Sequence, residues 1–149
     1  MAITFIILGS GSSMGVPRAD GYYGNCNLKN KKNHRTRCSA LIKFNKQNFL
    51  IDTSPDLRQQ LLKNKIKNID KVFYTHLHAD QTHGINDLRP FFLIKKKQIP
   101  IFGDLKTSKY LYSTFKYCFK SSQGYPSTLK INILKNSLFF EGCFFLFNL

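Results

Sequence analysis

Short apolar runs alternate with helical patterns along this chain, and that alternation limits the folds open to it. "ITFIILG" is apolar and ends in glycine, which predicts a buried strand. "SALIKF" and "QNFLIDT" predict a hairpin turning around Asn45 to Gln47. A helix start follows, with Ser54 as N-cap, Pro55 at the first helical position and Asp56 in the first turn. Leu57, Leu61, Leu62 and Ile66 supply its apolar stripe. "KVFYT" is the next strand, "INDLRPFFLIKKK" is helical in pattern, and "IPIFG" is a short strand. "DLKTSKYLYSTFKYCF" predicts one amphipathic helix starting near Asp104 or Thr107. "LKINIL" and "SLFFEGCFFLF" are strand candidates. Strands and helices in turn argue for α/β layering.

The chain has 149 residues, which fits one domain or part of a larger one. At 42% hydrophobic and 14% aromatic it can bury a core, which argues against disorder. No apolar run reaches the roughly 18 residues of a spanning helix, so no membrane partner is expected. The N-terminus lacks the basic region of a signal peptide and reads as a first strand, so a cytoplasmic location is the expectation.

The formal net charge of +15 comes mostly from scattered lysines, and only "IKKKQ" forms a run. It is read first as solvated surface. Steering of an anionic substrate or of nucleic acid is the less favoured reading. Cys118 and Cys143 sit in aromatic surroundings and are expected in the core. Cys26 and Cys38 flank His34, but a structural zinc held there would lack a fourth ligand.

The chemistry concentrates in "YTHLHADQTHG", Tyr74 to Gly84. In extended backbone, residues i, i+2 and i+4 point to one side, and His76, His78 and Asp80 have that spacing. Two imidazoles and a carboxylate at the mouth of a sheet would suit zinc or another borderline divalent ion.

His76-Leu77-His78-Ala79-Asp80 resembles the H-x-H-x-D-H element of the metallo-β-lactamase fold hydrolases. "FLIDTS" resembles the strand-end aspartate motif of that family, and "LGSGSSMGVP" and "GINDLR" are similar to its phosphoribosyl cyclic phosphate phosphodiesterase branch. The resemblance runs from about Ile3 to Asp104. It implies an αββα sandwich, a mixed sheet with flanking helices, of which residues 1–149 would form a single, C-terminally truncated domain covering about the first half. It also implies that His76 and His78 bind a first metal and Asp80 a second, with Asp52 as a supporting carboxylate. Catalysis would then be hydrolysis of a small, cyclic phosphodiester by a hydroxide generated at the metal.

Two departures qualify this. Gln81 stands where the family has histidine, which weakens the second site or shifts it from Zn²⁺ towards Mn²⁺ or Mg²⁺. His83 is either a replacement ligand or a hydrogen-bonding residue at a helix start. No histidine follows His83, and the later candidate ligands, Asp87, Asp104, Cys118, Glu141 and Cys143, fall in no matching context. Such a chain is expected to be at most a feeble catalyst, with an impaired remnant that binds metal weakly as one alternative; a homo-oligomer is compatible with the sequence, which leaves open whether a partner chain completes the site. An RNA-processing nuclease of the same fold is the other alternative. Arg18, Arg35, Arg37 and Arg89 are the candidate phosphate contacts, with "HRTRC" placing two arginines on one side if extended. The glycine loop "GSGSSMG" fits neither the dinucleotide fingerprint nor a P-loop, and reads as a tight loop or an anion-binding one.

Overall fold

A computed structural model describes residues 2–27, 29–134, 137–140 and 143–146. Its centre is a six-stranded mixed sheet whose spatial order follows the chain: β1 (Thr4–Gly9), β2 (Ser39–Phe44), β3 (Gln47–Ile51), β4 (Lys71–Phe73), β5 (Ile99–Gly103) and β6 (Leu129–Ile133). The first three strands are antiparallel and the last four run parallel. A separate hairpin, β7 (Ser137–Phe140) with β8 (Cys143–Leu146), follows.

The β2–β3 hairpin turns on two residues, Asn45 and Lys46, both at positive φ (47° and 62°). That pair matches the twist of the flanking strands, so the turn is one residue tighter than the sequence predicts.

Helices cover one face of the sheet. They are α1 (Leu57–Lys63), α2 (Ala79–Thr82), α3 (Arg89–Lys95), α4 (Leu105–Thr114) and α5 (Lys116–Phe119). Leu57, Leu61, Leu88, Phe91, Leu111 and Phe115 pack there on Leu41, Leu50, Val72, Ile101 and Leu129. A smaller cluster on the opposite face joins Phe44, Phe49, Phe73 and Leu134, with Phe73 stacked on Phe102 at 5.0 Å between ring centroids. Along β1 the alternate residues Ile3, Phe5 and Ile7 stay exposed; Phe5 pairs with Ile42, which packs on that smaller cluster.

Four expectations about the helices are corrected. The first helix begins at Leu57, not beside Ser54. Pro55 lies ahead of it, Asp56 stands at the cap with no side-chain capping bond, and the Ser54 hydroxyl accepts from the Asp56 N–H. Leu62 is 64% exposed, whereas Gln60 is buried in its stead. Gln60 donates through Nε2 to the Arg37 carbonyl and the Thr36 hydroxyl, which holds it inward and rotates Leu62 out. The long helix from Asp104 to Phe119 is two: Asp104 caps α4 by accepting from the Thr107 N–H, and Phe115 leaves helical geometry (φ −116°, ψ 38°) to bury its ring. The pattern over 85–95 is likewise split, a 3₁₀ turn at Ile85–Leu88 preceding α3. Cys118 is buried as expected, while Glu141 and the side chain of Cys143 lie outside the described residues.

Candidate metal centre

The strand ends at Ile51 and Phe73 deliver Asp52 and Thr75 to one rim of the sheet. Asp52 leaves β3 at φ 59°, a left-handed conformation that turns its carboxylate sideways. Its N–H donates to the Phe73 carbonyl (2.8 Å), which holds that turn against β4. The loop after β4 is fastened from the other side. The Thr53 N–H donates to the Gln81 carbonyl (2.7 Å), and the Gly84 N–H donates to the Thr53 carbonyl (2.8 Å). Gly84 must be glycine for this approach, because a Cβ there would lie 2.0 Å from the Ser54 carbonyl oxygen.

A chain of hydrogen bonds runs outward from Asp52. Its carboxylate accepts from the Thr75 N–H (2.8 Å) and from the Thr75 hydroxyl (2.7 Å). Thr75 Oγ1 lies 3.0 Å from His76 Nδ1, and His76 Nε2 lies 3.1 Å from His78 Nδ1. The hydroxyl has one proton and gives it to Asp52, so His76 Nδ1 must be the donor to Thr75. A neutral His76 then presents a bare lone pair at Nε2. Burial pushes the Asp52 carboxyl up to about 6, against the bonds from Thr75 and the electrostatic pull of the nearby His76 ring; the Asp80 carboxylate adds to the rise.

Nitrogens bound to one divalent ion at ~2.0–2.1 Å lie roughly 2.9–3.4 Å apart at octahedral to tetrahedral angles. His76 Nε2 and His78 Nδ1 fall in that window, so the pair fits two corners of a metal site. Asp80 does not join them at a common point, as the i, i+2, i+4 spacing predicts for three converging ligands. Helix α2 begins at Ala79 and ends the extended backbone that the prediction requires. Asp80 Oδ2 instead accepts from Gln81 Nε2 (2.8 Å), and the buried Gln81 Oε1 has no hydrogen-bond partner. His83 turns away too: its Nδ1 meets the Thr82 hydroxyl (3.0 Å) and its ring sits edge-on to Phe115. Among the described residues, no three His, Cys, Asp or Glu side chains are grouped to hold a metal ion.

The remaining candidates lie elsewhere. Asp87 is half-buried near Arg58, and Asp104 is spent on capping α4. The Cys38 thiol donates to the Gly11 carbonyl, and His34 Nε2 pairs with the Tyr23 hydroxyl (2.6 Å), so Cys26, His34 and Cys38 are not grouped. Arg37 is locked on Asp56 through Nε and Nη2 (3.0 and 3.1 Å), Arg18 pairs with Asp20, and Arg89 stacks 4.4 Å above the Tyr125 ring. Arg35 is the exception: it is exposed, and among the described residues its guanidinium donates only to the Ser10 hydroxyl (2.8 Å). The glycine loop resolves as a close approach: a Cβ on Gly9 would lie 2.1 Å from the Arg37 carbonyl oxygen. Sequence reasoning missed Thr75 as the link between carboxylate and imidazole, although its place directly before His76 is the signal that could have found it.

Comparison with known proteins agrees with this architecture. Residues 47–141 match the family described as a beta-lactamase superfamily domain. A crystal structure of a diphosphatase from the PhnP family superposes with TM-score 0.82 at 32% identity, covering 98% of this chain and 56% of that one. An octanoyltransferase of Porphyromonas gingivalis is 33% identical over 139 residues, which is 91% of this chain and 28% of that protein. A ribonuclease Z of Methanocaldococcus jannaschii is 29% identical over 87 residues, 56% of this chain and 27% of the other. The chain thus spans little more than half of the matched diphosphatase and under a third of these two relatives.

Proposed function

The chain belongs to the β-lactamase superfamily and carries the metallo-β-lactamase hydrolase fold, and from that premise we propose that it takes part in metal-dependent hydrolysis of a small phosphodiester. The observation that carries this reading is the pair of imidazole nitrogens, His76 Nε2 and His78 Nδ1, 3.1 Å apart on a rim braced by a buried carboxylate. A divalent ion such as Zn²⁺ or Mn²⁺, when bound, would supply Lewis acidity and a nucleophile at neutral pH.

The chain's own residues do the rest. His76 and His78 would hold the ion. Asp52, acting through Thr75, keeps the His76 proton on Nδ1 and its lone pair directed to the site, the outer-shell role that commonly sets ligand orientation. Asp80 is a second carboxylate on the rim, steadied by Gln81. The likeness to a diphosphatase and the cationic surface support an anionic phosphorus substrate over a lactam. Two imidazoles alone are a weak set, since a catalytic zinc usually has three protein ligands. The turnover expected of this chain is therefore low.

The test is hydrolysis of an aryl phosphodiester and of a chromogenic β-lactam, with Zn²⁺ or Mn²⁺, with and without chelator, in wild type and in H76A/H78A. Chelator-sensitive phosphodiester turnover above the double variant, yet below the usual ~1–10³ s⁻¹, is expected. Faster turnover of the lactam overturns the substrate class. Equal rates in the double variant overturn the site.

A further inference from the structure

Lys31, Lys32 and Arg35 lie beside the arginines that pair with carboxylates. A groove of about 740 Å³ is bounded by the end of β1, the 31–36 segment and one side of α1. Among the described residues four cations line it, Lys31, Lys32, Arg35 and Lys63, and no carboxylate does. All four are exposed, and among the described residues none is ion-paired. The adjoining hollow of about 710 Å³ differs: its Arg18 and Arg37 are matched by Asp20 and Asp56. Arg35 lines both hollows, so among the described residues the first groove holds three more cations outside the ion pairs than the second.

The groove is built, not incidental. Asn30 caps the 3₁₀ turn at Lys31–Asn33 by accepting from the Lys32 N–H, which fixes the two lysines on one rim. Lys63 closes the opposite rim from the last turn of α1. Arg35 is braced between them by Ser10. Aromatic surface adjoins. His34 lines both hollows and stands edge-on to Tyr23, with ring centroids 5.3 Å apart, and Tyr22 is exposed beneath the Arg18 guanidinium. A positive track with stackable rings at its side is the combination that holds single-stranded nucleic acid without reading its sequence.

We infer that this groove binds the phosphate backbone of single-stranded nucleic acid through Lys31, Lys32, Arg35 and Lys63. Several separated cations suit successive phosphates better than one compact phosphate. Binding needs no metal and no hydrolysis, so it stands or falls apart from the activity proposed above.

The experiment is fluorescence anisotropy of the full chain with a labelled ten-nucleotide oligouridylate between 50 and 200 mM salt. A log–log salt slope of about −2 to −3 is expected, at ~0.7 per neutralised phosphate for single strands. K31A/K32A/K63A should lower affinity at least tenfold and flatten the slope by about 2. The charge-matched control K96A/K97A/K130A, taken from exposed lysines outside the groove, should leave both within twofold. Circular dichroism of both triple variants confirms folding. Equal losses in the two variants would show bulk charge only and overturn the groove. Competition by inorganic phosphate or a mononucleotide at the oligomer's own concentration would make it a small-anion pocket, overturning the polymer assignment.

Discussion

Asp52 and Thr75 are joined twice, the backbone N–H and the side-chain hydroxyl of Thr75 both donating to one buried carboxylate at 2.8 and 2.7 Å. The threonine thus cannot also donate to His76, and the imidazole is obliged to keep its proton on Nδ1. Orientation of the candidate ligand is therefore a property of Asp52, more than twenty residues upstream.

Removing either imidazole should cost the chain most of its metal affinity. H76A and H78A are each expected to lower Zn²⁺ or Co²⁺ affinity by more than about a hundredfold in calorimetric titration, while T75V should cost a smaller factor within the ~10–100-fold range of outer-shell partners. T75V binding as tightly as wild type would show that the relay to Asp52 is idle.

The Asp52 carboxyl titrates near 6 when folded and near 3.9 when unfolded. The folded state therefore binds the proton more tightly, so stability contributed at low pH is lost as pH rises from about 4 through 6. Two units correspond to roughly 2–3 kcal/mol. D52N has no such dependence. The difference in Tm, D52N minus wild type, should rise between pH 4 and pH 7 by several degrees, read by scanning calorimetry. A flat difference would place the folded carboxyl near its ordinary value.

Gly84→Ala should destabilise the chain by about 1–3 kcal/mol, the usual range for overpacking, because the added methyl would meet the Ser54 carbonyl. Lys46→Gly should act oppositely, gaining up to ~1 kcal/mol by relieving a side chain held at φ 62° in a two-residue turn. Urea midpoints of the two variants measure both effects, and the same sign in each would contradict the hairpin geometry.

Gln81 is buried with an unpartnered amide oxygen while its nitrogen holds Asp80. Q81H exchanges that orphan for an imidazole beside the carboxylate. The expected outcome is more bound Mn²⁺ or Zn²⁺ per chain by elemental analysis, with little loss of thermal stability. Unchanged metal content would show that position 81 does not face an ion.

The sheet, the hairpin and the two histidines were legible because each rests on local pattern: alternating apolar residues, a short polar turn, a two-residue spacing. What failed was set by partners distant in sequence. Leu62 carries the same hydrophobic signal as Leu61, yet Gln60 takes the inward position because the Thr36 hydroxyl and the Arg37 carbonyl accept hydrogen bonds there. Arg37 looks like a phosphate contact until Asp56 is placed beside it. Asp80 shares the spacing of His76 and His78, but helix α2 starts between them and turns it aside. The Lys31–Lys32–Lys63 groove has no signature at all in the sequence, since the third lysine is brought in only by α1.

The six strands of the main sheet lie side by side in the order in which they occur in the chain. No strand has to thread between two others already paired, so every addition is made at a growing edge. During synthesis each emerging strand meets a waiting template, and a nascent chain made as far as Gly84 already contains Asp52, Thr75, His76, His78 and the Gly84 clasp. The imidazole pair can therefore be set before β5 and β6 leave the ribosome, and the later half of the sheet buttresses a rim that is already shaped.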